Sequence, residues 1–230
     1  MDNHFKDITT GGYMMGYTKT YTNITEEKKD IMYVVGAGEQ DSFYIFYYDQ
    51  DEEVYTLVAT SFSNNFYFSP RTKTITYSQT GCCGESPLKG NIVLQFNEDG
   101  ATAIENYAIV TLDIPESDIQ PSELNNNPKT GVIENDDYNL RLYPSMENKY
   151  PDSDTFYNYF NDNLLGKIKK QSKVKIIGQR NAENRIWYYV EVDPDNLSIN
   201  HTEGVTHNPS QNIRGWVSSN FVSLIPDLVK

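Results

Sequence analysis

The sequence predicts an all-β protein, and three observations carry that prediction. Aromatic residues are abundant, with 18 Tyr and 10 Phe among 230 residues, and they share short runs with β-branched residues, as half-buried strands do. Clusters of Gly, Pro, Asn, Asp and Ser separate those runs and supply the turns. Helical periodicity is almost absent: only Thr155–Leu165 reads as a short helix. A chain of this length holds two modest domains or one large all-β domain.

Taken in order, residues 1–30 are polar and rich in Thr and Tyr, with Gly11-Gly12 as a break. Asp30–Val35 is the first predicted buried strand. Ser42–Tyr48 is the second, and the acidic turn 49–53 returns the chain into Val54–Ala59 as a hairpin. Phe66–Phe68 leads through Pro70 into the alternating strand Lys73–Tyr77, followed by Asn91–Phe96 and Ile104–Leu112. From Asp113 to Thr130 the composition turns to Pro115, Pro121, Pro128 and Asn125-Asn126-Asn127, which predicts a solvated linker between domains at 1–112 and 131–230. In the second domain Val174, Ile176, Trp187, Tyr188, Tyr189, Val190 and Val192 fall in strand patterns, and Pro144 ends the strand before it. Met146–Asn163 and Asp193–Asn212 are polar insertions that read as surface loops.

Charge divides the chain unevenly. Residues 1–127 carry 7 Lys/Arg against 19 Asp/Glu, whereas residues 128–230 carry 12 against 13. The first half lacks the cationic face that phosphate binding requires, so nucleic acid is excluded as its partner. Its acidity serves solubility or draws in a cationic protein. No apolar run approaches the ~20 residues that span a bilayer, and Met1–Asp7 has neither the basic start nor the apolar core of a secretory leader.

Five pieces of the second half stand in a recognisable order: Tyr138–Ser145, Gly166–Ile168, Ser172–Gly178, Trp187–Val192 and Gly215–Ser218. This succession resembles the bacterial Src-homology-3-like (SH3-like) domain over residues 130–225, with two insertions. The resemblance implies a small closed barrel that binds peptides of the cell wall or of a protein partner. Residues 28–110, above all Gly81-Cys82-Cys83-Gly84, are similar to a family of bacterial envelope β-meander proteins, some of which inhibit lysozymes. That likeness implies a periplasmic or extracellular protein; a cytoplasmic one is the alternative from the residues alone. The alternative function it implies is that of an inhibitor or immunity protein against a cationic, lysozyme-like cell-wall hydrolase, acting through the acidic domain.

The candidate site residues follow from chemistry. Tyr143, Trp187, Tyr188 and Trp216 are the groove candidates, because rigid aromatic side chains bury much area with few rotors. Trp216 with Val217 also suits core packing. Ser78, Thr80, Cys82, Cys83 and Glu85 form the candidate inhibitory hairpin. Cys82 and Cys83 are the only cysteines; as neighbours they form a vicinal disulfide in an oxidising compartment or remain small hydrophobes at the turn. Two thiols make no zinc site by themselves. Asp49 and Asp51 lack the glycine of a calcium loop, and His201 with His207 and Glu203 has no third fixed ligand. With no nucleophile placed beside a base, the chain is expected to be a non-enzymatic binding protein without cofactor or metal.

Overall fold

The computed structural model describes residues 15–21, 30–36, 42–49, 52–61, 66–69, 71–79, 88–97, 100–110, 116–148, 163–202 and 211–226. The protein is all-β. Among these residues the only departures from strand and turn are a one-turn helix, α1 (Glu116–Ile119), and two 3-10 turns. The chain divides into two compact units, Met1–Glu85 with Asn91–Asn106, and Ser86–Gly90 with Tyr107–Lys230.

In unit 1 the strands β1 (Met15–Tyr21), β2 (Asp30–Gly36), β3 (Ser42–Asp49) and β4 (Val54–Ser61) form an antiparallel meander in chain order. A second set runs β5 (Phe66–Ser69), β6 (Thr74–Gln79), β7 (Leu88–Asn97) and β8 (Gly100–Val110), each beside the next. Alternation buries Ile92, Leu94 and Phe96 of β7 with Ile75 and Tyr77 of β6 and Ile45 and Tyr47 of β3 in one core. Tyr47 stacks on Phe96 at 6.1 Å and donates its hydroxyl to Asn97 O at 3.0 Å. Burial pushes the Tyr77 phenol up to about 12. The strand β1 lies in the stretch read as polar and rich in Thr and Tyr, where no strand was predicted. An edge strand needs only one paired side, and the Thr and Tyr residues of Met15–Tyr21 are good strand formers.

Unit 2 holds two sheets around one apolar core. The larger runs β16 (Val222–Leu224), β9 (Lys129–Ile133), β12 (Lys173–Ala182), β13 (Arg185–Val192) and β15 (Asn212–Ser218), all antiparallel; Tyr107 and Ala108 join β15 in parallel. The smaller runs β10 (Tyr138–Leu140), β11 (Gly166–Ile168) and β14 (Leu197–Asn200). The sheets meet at the bridge between Arg141 and Trp216, where a side chain at Gly215 would sit 2.7 Å from Arg141 O. Glycine is required there because two backbones touch. Ile133, Leu140, Ile168, Val174, Val190, Val192 and Val217 fill the interior.

The sharp hairpin between β12 and β13 turns through Glu183 (φ 50°) and Asn184 (φ 58°). Two consecutive left-handed residues match the twist of the flanking strands. Along β13 the side chains alternate: Val190 and Val192, with Tyr188, face the interior, while Trp187 and Tyr189 join Ile177 and Trp216 in a second cluster on the other face.

Three expectations about this half need correction. Residues 116–127, read as part of a solvated linker, belong to unit 2 and pack onto its sheet: Ile119 is buried and Asn125 N donates to Ile177 O at 2.7 Å. Asp193–Asn212 is not a plain surface loop, since Pro194–Asn196 forms a 3-10 turn and Leu197 of β14 and Thr202 are buried. Of the insertion Met146–Asn163 and the helix expected at Thr155–Leu165, residues 149–162 lie outside the described residues; Asn163 is fully buried and Asn163–Leu165 is not helical. Each segment is polar in composition, yet one apolar or amide side chain in each finds a long-range partner.

Candidate functional site

The aromatic residues singled out from sequence separate into two groups. Trp187 and Trp216 are both 0% exposed, which removes them as open groove residues. Their indole N–H groups are consumed internally: Trp187 donates to Ala182 O at 3.2 Å and Trp216 to Ile119 O at 2.7 Å. Tyr143 and Tyr188 are only half buried and pack against the interior cluster. Tyr138, missed as a candidate, shares that position and meets Phe221 at 5.2 Å.

The Tyr143 rim is built by a buried amide. Asn163 accepts from Tyr143 N at 2.9 Å and donates from Nδ2 to Tyr143 O, Ser145 O and Glu147 O at 3.2, 3.2 and 3.1 Å. A single side chain thus ties three residues, Tyr143, Ser145 and Glu147, of a turn that has no ladder partner of its own. Arg141, also buried, donates to Asn148 Oδ1 at 2.9 Å. From the other side the β12–β13 hairpin tip reaches the turn: Ser145 Oγ donates to Glu183 Oε1 and Met146 N to Oε2 at 2.8 Å.

The Ser145 hydroxyl, then the Met146 amide and the nearby Arg185 and Arg141, hold the Glu183 carboxyl below its ordinary 4.5. A depressed carboxyl pKa stabilises the folded turn above that ordinary value, and the contribution disappears as pH falls through the folded pKa. On lowering pH below 4.5, the Met146 amide resonance is expected to lose its hydrogen-bonded shift before unit 2 unfolds. Glu183→Gln should abolish that early step. Burial raises the Tyr143 and Tyr138 phenols, so both are neutral hydrogen-bonding groups at physiological pH.

The opposite face of β12, β13 and β15 is covered by the chain itself. Arg180 lies 5.1 Å over the Trp216 ring, and Tyr189 packs against it at 5.0 Å. The same guanidinium donates to Asp118 O at 3.0 Å and to Ser117 O and Gln120 O. A four-residue helix leaves its last carbonyls without internal partners, and Arg180 and Trp216 supply them. Further along this face Glu191 binds Arg214 at 2.8 Å, with Asn212 Nδ2 at 3.2 Å, and Arg214 sits 3.0 Å over the Tyr107 ring. Nothing in the spacing of Arg180 and residues 117–120 signals this pairing, because they lie about sixty positions apart.

Of the inhibitory-hairpin candidates, Ser78 is buried in β6, while Thr80, Cys82, Cys83 and Glu85 lie outside the described residues. His201 is exposed at a turn, and Glu203 and His207 also lie outside them. Among the described residues no helix is long and apolar enough to cross a membrane. Set against family models, curated proteins and solved structures, the chain matches none of them.

Proposed function

We propose that the chain is a non-enzymatic binding protein of a bacterial envelope, and that unit 2 is an SH3-like module recognising an extended peptide at the Tyr143 rim. The observation that carries this reading is the construction of the rim. A half-exposed Tyr143 is held at both its backbone N–H and its C=O by the buried Asn163 amide, with Glu183 fixed beside it. A rigid aromatic with charged neighbours loses little entropy on docking a partner. The strand order supports the SH3-like assignment: the first and last strands of the domain pair, Ile133 with Val222, and a 3-10 turn at Ser219–Phe221 precedes the last.

The test is Tyr143→Ala in the intact protein. Binding of peptidoglycan stem peptides and of extended protein peptides should weaken about tenfold, with the melting temperature within ~2 °C of the parent, since hot-spot aromatics cost ~1.4 kcal/mol or more when truncated. Equal loss of stability and binding would assign Tyr143 to the core instead.

A second reading draws on charge: the surplus of acid in residues 1–127 favours a cationic hydrolase as partner of that half. A lysozyme assay at physiological salt, with residues 79–85 replaced by a neutral turn as the control, decides it. Absence of inhibition by the parent protein ends this reading.

A further inference from the structure

Four arginines belong to unit 2, and the fold uses three of them. Arg214 pairs with Glu191, Arg180 donates to the carbonyls of residues 117, 118 and 120, and Arg141 donates to Asn148. Arg185 is the exception. Its Nε is buried with no acceptor among the described residues, while the half-buried side chain leaves its terminal nitrogens in contact with solvent. The acid of its own hairpin, Glu183, commits both oxygens to Ser145 and Met146. Trp187 lies under the guanidinium, 5.8 Å from Cζ to the ring centroid.

A cation in this state costs the fold stability, because part of its hydration is lost and no anion replaces it. The contact with Trp187 offsets a fraction of that cost and orients the group. What remains outward is the fork of terminal N–H groups, whose geometry matches a carboxylate. The fork lies towards one end of the Tyr143 rim. Burial and the Ser218 contacts apart, the charges that bear on the Tyr138 phenol are those of Arg141 and Arg185. Tyr143 faces the acids Glu147 and Glu183 as well as Arg141. The rim is therefore positive at Tyr138 and more acidic at Tyr143. Arg141 is buried and bonded to Asn148, which leaves Arg185 as the cation of this end that a ligand can reach.

We infer that Arg185 is a carboxylate anchor: the peptide recognised at the rim carries a C-terminal or side-chain carboxylate that accepts from the terminal N–H groups of Arg185 beside Tyr138. This rests on the peptide-binding reading of the rim and adds the charge and the direction of the ligand. The carboxylate end lies at Tyr138, and the end nearer Glu147 and Glu183 is neutral or cationic. Ion pairs between freely moving surface side chains contribute little, largely because both chains lose entropy. Arg185 is already oriented over Trp187 and dry along one edge, so less of that loss falls on binding.

The full chain is titrated with N-acetylalanine, which offers one carboxylate, and with N-acetylalaninamide, inorganic phosphate and sodium chloride at equal ionic strength. The Arg185 Nε–H resonance should shift saturably with N-acetylalanine, while those of Arg180 and Arg214 stay in place. An extended peptide without acidic side chains should bind about tenfold more tightly as the free acid than as the C-terminal amide, the scale of one hydrogen-bonded charge. One glutamate added to the amide separates a side-chain carboxylate from a terminal one. Arg185→Gln should remove the preference for the acid and leave the affinity for the amide within about twofold; Arg185→Lys should restore part of it, because a point charge lacks the fork. An Arg185 resonance indifferent to N-acetylalanine, or moved as far by chloride, overturns the inference, as does tighter binding of phosphate. This titration uses the parent protein, so it decides the matter even where Arg185→Gln fails to fold. Free acid and amide bound equally, both weakened by Tyr143→Ala, overturn the anchor and leave the rim reading in place. A saturable response at Arg185, with no peptide sensitive to Tyr143→Ala, upholds the anchor and removes the rim reading.

Discussion

Replacing Trp216 by alanine should lower the unfolding free energy of unit 2 by about 4 kcal/mol, the middle of the range for truncating a buried Trp or Phe. The side chain is fully buried, packed against Tyr189 and under the Arg180 guanidinium, with its indole N–H spent on Ile119 O. Truncation leaves a cavity beneath a cation and orphans an acceptor. Trp216→Phe keeps most of the packing and loses the hydrogen bond, so it should cost about 1–2 kcal/mol. Urea denaturation followed by circular dichroism, with Trp187 fluorescence as the local probe, gives both values. A cost below about 1 kcal/mol for Trp216→Ala would mean that this face is not packed as described.

Asn163→Ala should have the next largest effect, a loss of about 3 kcal/mol, because several buried main-chain groups lose their partner at once. The Tyr143 N–H and the carbonyls of Tyr143, Ser145 and Glu147 all depend on this amide. Asn163→Asp is the sharper control. The acid keeps the acceptor for Tyr143 N but turns the three donor contacts into an anion facing carbonyl oxygens, so it should be no better tolerated than alanine. Thermal melts of both variants, with the Tyr143 amide shift as reporter, distinguish collapse of the turn from general instability. Parent-like stability for either variant would show that water replaces the amide without cost. Peptide binding at the rim should fall together with stability here, unlike for Tyr143→Ala, where binding alone falls.

The sequence by itself determined the all-β class and most strand positions in unit 1, for a local reason. The alternation of Ile75 with Tyr77, and of Ile92, Leu94 and Phe96, is a period-two signal contained in a few neighbouring residues. The same holds for Trp187–Val192, where one face of β13 goes to the interior and the other to the tryptophan cluster. Aromatic character singled out Tyr143, Trp187, Tyr188 and Trp216 together, but it did not say which of them are buried and which stay half exposed. Burial is a sum over partners from the whole chain, and Trp216 is closed off by Ile119, which lies 97 positions away.

Polar composition misled for a related reason. Residues 116–127 and Asn163 look like solvent-facing segments when weighed by side-chain polarity. Residues 117–125 bind chiefly through their main chain, which every residue carries and composition does not record. Asn163 binds through an amide whose value depends on four backbone groups brought to it by the turn. Only the tertiary structure decided that the tryptophan face is covered and that Tyr143 stays half exposed. Both outcomes follow from which backbone groups lack a ladder partner once the sheets have formed.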